Sequence, residues 1–418
     1  MKTETRLRVV AGLIDSGSAS LATFGALFYA ARYFSPAALG VYSLLFSAFL
    51  VARLISEKIF FVPVEVEALR IDRVERVGLL DTSLPAGSVF AFVPALGVAL
   101  VAAPFLELAS PETSLSLAVS ATALTFLAPL QDHIRRVFHL SGSSWAAAAV
   151  SVVRLVVVGV TILVVTIRVG FSSWVPFGSL ATGAAVSIVV GYVLSRLRPQ
   201  RRRMVIPKLR VLMKTGRWLL AAGLFASGSR LIAGFLVVSL ASVGALGYAE
   251  AARAVAQPLV VFAVGFGAVL GPRSMEASQA RDRTKADHIA RIFMVLVLLV
   301  SVVYMAFAAW VWKGNFIAQL LVAAYDIRGL VALSLLAAAV SMITLPYQYE
   351  LVAGRRERGV AQVEGVGATL TVAVAAAAGI LGSFAIPLGV LVLGAVRWFG
   401  YRRNRAQLFG RSRPSELG

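Results

Sequence analysis

The chain has 418 residues, of which 59% are apolar and only 14% are charged. Soluble domains carry about 25% charged residues, so a soluble core could not hide this much apolar surface and part of the surroundings must be lipid. The chain contains no cysteine, which excludes disulfides, thiolate metal sites and cysteine nucleophiles, and its three histidines disfavour a histidine-built metal site. The net charge of +20 accompanies no nucleic-acid-binding motif, and we attribute it to basic helix ends that meet anionic membrane lipid.

The apolar residues occur in blocks of about 20–25, the length of a helix that crosses a hydrocarbon core of about 30 Å. Strands of a transmembrane barrel would be about ten residues long and would alternate apolar with polar side chains, a pattern that is absent here. The N-terminal segment leads into an apolar run without a small-residue cleavage site, which indicates a first span and not a signal peptide. The sequence therefore predicts an all-α integral membrane protein with about twelve spans, at 9–33, 39–62, 83–106, 114–136, 145–167, 177–196, 217–240, 245–269, 291–312, 329–352, 361–382 and 384–400.

Basic residues are concentrated on one side of the predicted membrane. With the N-terminus inside, the outer segments contain only four basic residues, Arg32, Arg168, Lys313 and Arg328. The positive-inside rule then predicts a plasma (inner) membrane protein with both termini in the cytoplasm. The outer loops are predicted to be short, and the longest, around Lys313 to Arg328, has about fifteen residues, too few for an outer domain.

The chain divides into two similar halves of six spans. Gly12–Ser18 (GLIDSGS) in span 1 recurs as Gly223–Ser229 (GLFASGS) in span 7, and Ala38–Gly40 recurs as Ala245–Gly247 at the start of span 8. Because each half has an even number of spans, the repeats are predicted to be parallel and pseudo-symmetric. The predicted segments are an N-terminal bundle at 1–196, a basic cytoplasmic linker at 197–216, a C-terminal bundle at 217–400 and a basic cytoplasmic tail at 401–418.

Three short stretches resemble the polysaccharide flippase family. Ala30–Tyr42 (AARYFSPAALGVY) resembles the turn between the first two spans of these proteins, which reads aromatic, small, Pro, small or acidic, Gly, aromatic. Leu246–Ala252 resembles the matching turn into span 8, and Val269–Pro272 resembles the cytoplasmic end of that span. The superfamily also holds multidrug and toxin extruders and the lipid II flippase. The resemblance implies that spans 1, 2, 7 and 8 line a central cavity between two halves that rock in alternating access.

Several ionisable side chains lie within the predicted spans, where each costs at least about 2.5–3.5 kcal/mol and needs a reason. Arg230 lies near the middle of span 7, Arg253 in the outer half of span 8 and Arg53 in the inner half of span 2. Given the implied cavity, we predict that these guanidinium groups bind the diphosphate of a lipid-linked substrate, because they fork onto phosphate oxygens. The alternative is that Glu250, which shares a helix face with Arg253, pairs with it only to neutralise two buried charges.

The remaining intramembrane charges allow more than one role. Asp15 is either a coupling carboxylate for a proton or Na⁺, as the acid in the first span of multidrug extruders is, or a solvated or paired acid. Arg154 is predicted to form a structural bridge to Asp15 or Asp132. Six ionisable residues near helix ends are expected to reach water by snorkelling: Glu57, Lys58, Asp132, His133, Glu364 and Arg397.

The resemblance implies a flippase for polyprenyl-diphosphate-linked oligosaccharide, used to make an exopolysaccharide, a capsule or the O-antigen of lipopolysaccharide. Partnership with a polysaccharide polymerase or assembly proteins stays open. A multidrug or organic-cation extruder is the first alternative, although arginines in the cavity disfavour cationic cargo. A lipid II flippase usually has two further spans. A membrane-embedded polymerase or glycosyltransferase is disfavoured because no large outer loop or catalytic domain is predicted. The sequence has no phosphate-cradling glycine loop or nucleotide-binding domain, so we predict neither an enzyme nor a cofactor.

Overall fold

The computed structural model describes residues 2–68, 75–102, 110–197, 209–310 and 328–410. These residues form helices and the turns between them, with no strand among them. Twelve helical segments in the same ranges are long and apolar enough to cross a membrane, so the chain is a multi-pass membrane protein. The predicted fold class is confirmed.

We number the spans 1 to 12 in chain order. Each begins and ends within about ten residues of its predicted bounds, because span length is set locally by hydropathy. The spans are Val10–Tyr33, Pro36–Glu65, Arg76–Ala102, Glu112–Leu140, Ser144–Arg168, Val175–Arg196, Leu220–Leu240, Val243–Gly267, Arg283–Ala308, Gly329–Ala353, Glu357–Ala376 and Ala378–Gly410. The α-helices that form them are Lys2–Tyr33, Pro36–Ser56, Val62–Ala68, Leu80–Ala102, Pro111–Leu140, Ser144–Arg168, Val175–Arg196, Leu209–Leu240, Val243–Gln279, Arg283–Trp310, Arg328–Met342, Leu345–Ala353, Glu357–Ala376, Ala378–Leu381 and Ala385–Gly410.

The connecting segments differ in part from the predicted division. The helix of span 7 already begins at Leu209, within the predicted linker, and the last helix continues to Gly410, into the predicted tail. Residues 198–208 of the linker, 411–418 of the tail and 311–327 of the predicted outer loop lie outside the described ranges.

The two halves repeat one pattern of helix packing. In the N-terminal half, span 1 packs on span 5, span 2 on spans 3 and 4, span 3 on span 4, span 4 on span 6, and span 5 on span 6. In the C-terminal half, span 7 packs on span 11, span 8 on spans 9 and 10, span 9 on span 10, span 10 on span 12, and span 11 on span 12. Each pair is the earlier pair shifted by six spans, so the halves are two parallel, pseudo-symmetric bundles.

Spans 1, 2, 7 and 8 form the interface between the halves. Span 2 packs on spans 7 and 8, and span 1 packs on span 8. The pairs 1·8 and 7·2 are equivalent under the six-span shift, whereas span 2 meets span 8 as its own counterpart. The interface is therefore pseudo-symmetric, and it uses the four spans that the family resemblance implies.

Matching glycines bring the N-terminal ends of spans 2 and 8 into backbone contact. A Cβ atom on Gly40 would lie 2.2 Å from the carbonyl oxygen of Val243, and one on Gly247 would lie 1.8 Å from that of Pro36. No side chain fits at either distance, so both positions require glycine for this approach. These are the equivalent glycines of the repeated Ala-Leu-Gly motif, and their contact closes the two halves against each other at the predicted outer side.

Span 2 contains a π-helical turn at Glu57–Phe61, between the α-helices Pro36–Ser56 and Val62–Ala68. Such turns insert an extra residue into a helix and occur often near functional sites. Phe60 and Phe61 are buried, and Phe60 stacks on Phe90 of span 3 with 4.7 Å between ring centroids. Glu57 at the start of the turn forms an ion pair with Arg136 of span 4, with 2.7 Å between Oε1 and Nη2. The turn thus links span 2 to the charged side chains of the N-terminal half.

Candidate functional site

The carboxylate of Glu250 is the centre of a charged cluster at the interface. It is 3% exposed and is shared by two guanidinium groups. Arg253 donates from Nε to Oε2 at 2.9 Å and also pairs through Nη2 with Oε1, and Arg230 Nη2 lies 3.2 Å from Oε2. Ser43 of span 2 donates its hydroxyl to Oε2 at 3.1 Å. Two positive groups on one carboxylate leave the cluster with a net charge of +1.

The predicted pairing of Glu250 with Arg253 is therefore confirmed. Residues at i and i+3 share one face of a helix, so these two side chains meet without help from another span. Arg230 joins them from span 7, which the sequence alone could not establish. A pairing role does not exclude a binding role, since the cluster keeps an excess positive charge.

Phe46 of span 2 faces both guanidinium groups from the opposite half. The central carbons of Arg230 and Arg253 lie 5.9 and 5.5 Å from its ring centroid, within the range of a cation–π contact. The ring also stacks with Tyr42 and Phe177, at 5.9 and 6.5 Å between centroids. This aromatic group of the N-terminal half therefore forms one wall beside the cationic cluster of the C-terminal half.

The C-terminal half contains a cavity of about 210 Å³ beside this cluster, which we call the C-half cavity. Arg230 and Arg253 line it together with Gln257, Ser334 and Ser341 from spans 8 and 10. The other lining residues are alanine, valine, isoleucine, methionine and proline, and no carboxylate occurs among the described residues that line it. Both arginine side chains are about one quarter exposed. Their charges can therefore act on a solute in this cavity.

A second cavity of about 230 Å³ lies in the N-terminal half, and we call it the N-half cavity. Its charged lining residues are Arg53, Arg135, Arg154 and Asp132, and Phe46 also borders it. Gln257 lines both cavities, and it accepts a 3.0 Å hydrogen bond from Arg253. The two cavities therefore lie on either side of Gln257.

Arg53 does not join the two arginines with which it was grouped. Its Nη2 lies 2.6 Å from Asp132 Oδ2, and its Nε lies 3.9 Å from Glu57. Arg53 lines the N-half cavity, whereas Arg230 and Arg253 line the C-half cavity. The predicted set of three is therefore divided between two places, because Arg53 lies on the face of span 2 that meets Asp132 of span 4.

Asp15 is buried and surrounded by donors. Arg135 reaches both of its oxygens at 2.7 Å, Ser151 donates at 2.5 Å, and a ring nitrogen of His139 lies at 3.0 Å. Asp15 is not among the residues that line either cavity. This geometry is that of a structural ion pair between spans 1, 4 and 5, and the coupling role stays a prediction.

The expectation of snorkelling is wrong for three of the six residues near helix ends. Asp132, His133 and Glu364 are at most 6% exposed. His133 bonds Glu65 and Ser83, at 2.8 and 2.7 Å, and Glu364 pairs with Arg397 at 2.8 Å. Neighbouring helices cover these positions, so partners from other spans replace water.

Arg154 also differs from its prediction. It does not bridge to Asp15 or Asp132; its Nη1 donates to Gln131 Oε1 at 3.0 Å. Arg135, which the sequence places among the basic inner ends, lies within the helix Pro111–Leu140 and lines the N-half cavity. Its i, i+3 spacing from Asp132 was the one sequence signal for this placement. No group of three or more His, Asp or Glu that could hold a metal ion occurs among the described residues.

Solved structures of membrane transporters resemble this architecture. An outward-facing multidrug resistance MATE family transporter of the MOP superfamily matches with a TM-score of 0.69 and 13% identity, over 96% of this chain and 95% of that one. A mutant MATE transporter from Vibrio cholerae matches with a TM-score of 0.65 and 16% identity, over 98% and 100% of the two chains. The chain has the fold of these transporters.

A third similar structure is a MOP superfamily transporter from Pyrococcus furiosus, described as having a binding pocket of reverse polarity that suggests a different function. Its TM-score is 0.65 at 12% identity, over 97% of this chain and 96% of that one. No protein-family model matches the sequence, and no curated protein matches it either. At these identities the similarity shows the fold, and none of the three structures is described as a polysaccharide flippase.

Proposed function

We propose that this protein is a membrane transporter that flips a polyprenyl-diphosphate-linked oligosaccharide from the cytoplasmic to the outer face of the plasma membrane. The observation that carries the proposal is the C-half cavity, which two arginines of the interface cluster and no described carboxylate line. Guanidinium groups bind phosphate oxygens in a bidentate manner and stay charged at any physiological pH. The apolar remainder of the lining suits the isoprene units next to the diphosphate.

The charge balance supports an anionic cargo. Glu250 is the acid nearest to this cavity, and both of its oxygens already accept from arginines. An organic cation entering the cavity would meet two guanidinium groups and no free carboxylate. A diphosphate would instead offset the excess positive charge of the cluster.

The proposed orientation places both termini in the cytoplasm, because the positive-inside rule places the basic segments there.

A multidrug extruder is the second candidate, because two of the three similar structures are MATE transporters, one of them described as a multidrug resistance transporter. The third is described as having reversed pocket polarity, which supports the view that this fold accommodates more than one kind of charge. The polarity of the cavity therefore separates the two candidates better than the fold does.

Transport by the purified full chain in vesicles tests the proposal. The cargo is a fluorescent disaccharide on a short polyprenyl diphosphate, and a membrane-impermeant quencher reports its movement. We expect wild-type protein to flip it, and Arg253→Gln to slow flipping about tenfold or more, because a charge-assisted contact with the diphosphate is lost. Arg273→Gln is the matched control, since Arg273 is exposed on the same helix, Val243–Gln279.

Arg253→Lys separates charge from geometry, since lysine keeps the charge but lacks the planar guanidinium fork. Its flipping rate should lie between those of Arg253→Gln and Arg273→Gln. If the cargo flips no faster than in protein-free vesicles and the protein exports an organic cation, the flippase function is rejected in favour of a multidrug extruder.

A further inference from the structure

The N-half cavity has a feature that the proposed diphosphate site does not explain. Arg154 lines this cavity and is 7% exposed, yet its partner among the described residues is the neutral amide of Gln131. A buried arginine is normally matched by an acid, because an unpaired charge in a low-dielectric interior is costly. Arg154 therefore calls for a further partner.

The surrounding acids are already engaged by other cations. Asp15 and Asp132 pair with Arg135, Asp132 also pairs with Arg53, and the two glutamates of span 2, Glu57 and Glu65, pair with Arg136. Together with Arg154 and Lys58, these side chains comprise five cations and four acids, a net charge of +1. The excess corresponds to Arg154.

The buried polar atoms without a hydrogen bond near this cavity include three donors. They are Nε of Arg53, Nε of Arg154 and Nε2 of Gln131. The one acceptor beside them without such a bond, Oδ2 of Asp132, lies 2.6 Å from Arg53 Nη2. Buried donors are nearly always satisfied, so this group lacks an acceptor that carries several lone pairs.

Neighbouring residues hold the Arg154 side chain in place. A Cβ atom on Gly183 of span 6 would lie 3.2 Å from Arg154 Cγ and 3.1 Å from its carbonyl oxygen. The missing side chain at Gly183 leaves room for the stem of Arg154 between spans 5 and 6. Ser20 and Thr23 of span 1 add hydroxyl groups to the cavity lining. Arg154 and Arg53 thus border a space of about 230 Å³, and Gln131 holds Arg154 through its hydrogen bond.

We propose that the N-half cavity is a second binding site for a phosphate-type oxyanion, held by Arg154 and Arg53, with Gln131 positioning Arg154. The oxyanion offsets the excess charge. Gln257 lines both cavities, so the two sites lie on either side of one side chain. Assigning the anion to the transported cargo rests on the proposed function, whereas the site itself does not.

Thermal unfolding of the purified full chain in lipid nanodiscs tests the site. A ligand that binds only the folded state raises the unfolding temperature in proportion to the logarithm of its concentration over Kd. Arg253→Gln serves as the background, so that binding in the C-half cavity is weakened. We expect inorganic pyrophosphate to stabilise this background, and Arg154→Gln to weaken that binding about tenfold to a hundredfold.

Arg168→Gln is the matched control, because Arg168 is exposed at the far end of the same helix, Ser144–Arg168. It should leave the effect of pyrophosphate unchanged. A purely structural Arg154 would lower the unfolding temperature in Arg154→Gln while the added stabilisation by pyrophosphate stayed the same, and this result would overturn the proposal. Arg154→Lys, which keeps the charge, should recover part of the binding.

The source of the anion is decided by a second ligand, a short prenyl diphosphate. Equal Arg154-dependent binding of both ligands supports a site for free phosphate-type anions, and binding of the prenyl form alone supports a lipid-linked group. If neither ligand stabilises the background protein, the site does not exist. Arg154-dependent binding in a protein that flips no lipid-linked sugar would retain the site and reject only the proposed function.

Discussion

The two halves repeat the same helix packing but treat buried charge differently. Beside the C-half cavity, two guanidinium groups from spans 7 and 8 share one carboxylate. Around the N-half cavity, acids on spans 1, 2 and 4 pair with three arginines, while Arg154 donates its hydrogen bond to an amide among the described residues. Packing between membrane helices is set mainly by small and apolar residues. Polar positions are therefore free to diverge after the backbone pattern has been duplicated.

This difference in the placement of buried charge predicts different roles for the two sets of charged side chains. The charges of the C-half cluster are concentrated at the interface, where movement of one half against the other would alter their contacts. The charges of the N-terminal half link spans of a single bundle, so they move together. We therefore expect the first set to respond to cargo and conformation. In the second set, we expect the paired acids and arginines to stabilise their bundle and Arg154 to respond to a bound anion.

The largest effect should follow removal of the shared acid. Glu250→Gln leaves Arg230 and Arg253 buried without a counter-charge, and breaking a buried pair costs on the order of 3–5 kcal/mol. We expect a loss of free energy of unfolding toward the lower end, since both arginines border a cavity. Unfolding in detergent measures it, with Glu276→Gln, an exposed acid on the same helix, as the control. An unchanged stability would show that the arginines already have other counter-charges.

Removal of the buried acid of span 1 should cost less. In Asp15→Asn, Arg135 loses its bidentate partner but keeps Asp132 at 2.9 Å, so we expect a loss of about 2 kcal/mol. The same variant tests the coupling role of Asp15. Transport that keeps its dependence on proton and Na⁺ gradients would assign Asp15 to structure, and loss of that dependence at normal expression would assign it to coupling.

The glycine contact tests whether the halves separate at the ends of spans 2 and 8. In Gly247→Ala, the new methyl group would overlap the carbonyl oxygen of Pro36, so the ends must separate. Overpacking costs about 2 kcal/mol, which shifts the population by more than tenfold. Spin labels on cysteines introduced at Tyr33 and Ala241 report the distance, since the chain has no cysteine of its own.

Gly244→Ala is the control for this experiment, because its Cβ atom would lie 3.7 Å from Pro36 and fit without strain. Equal label distances in the two variants would contradict a role of this contact in closing the halves.

The smallest effect concerns the aromatic wall between the cavities. A double-mutant cycle of Phe46→Leu with Arg253→Gln should give a coupling of about 0.5–1 kcal/mol, because the guanidinium group lies over the ring. Free energies of unfolding in detergent supply the four values. The same cycle with Phe92, which is exposed on span 3, should give no coupling. Equal coupling energies in both cycles would show that the cation–π contact between Arg253 and Phe46 does not stabilise the protein.

Part of the candidate site could be predicted from the sequence because its geometry is local. Glu250 and Arg253 are three residues apart on one helix, and this spacing alone places them together. The Ala-Leu-Gly repeat likewise indicated equivalent positions in spans 2 and 8. Its backbone contact could not be foreseen, since it depends on how closely two distant helices approach.

Other residues depended on which helix faces meet. In a membrane, lipid-facing and buried faces are both apolar, so hydropathy does not distinguish them. Asp132 and Glu364 were therefore expected at water-accessible helix ends, although neighbouring spans cover them. Arg53 was grouped with Arg230 and Arg253 because all three lie within spans, yet its position on span 2 directs it to Asp132.

By itself the sequence determined the number, length and order of the spans and the division into two parallel repeats. These properties follow from runs of apolar residues, which act within one helix, and from the motifs that recur six spans later. Only the tertiary structure decided that the arginines fall into two cavities, that Asp15 is held by four donor atoms and that the hydrogen-bond partner of Arg154 among the described residues is an amide. Those outcomes join residues more than twenty positions apart, so they depend on the packing of whole helices against one another.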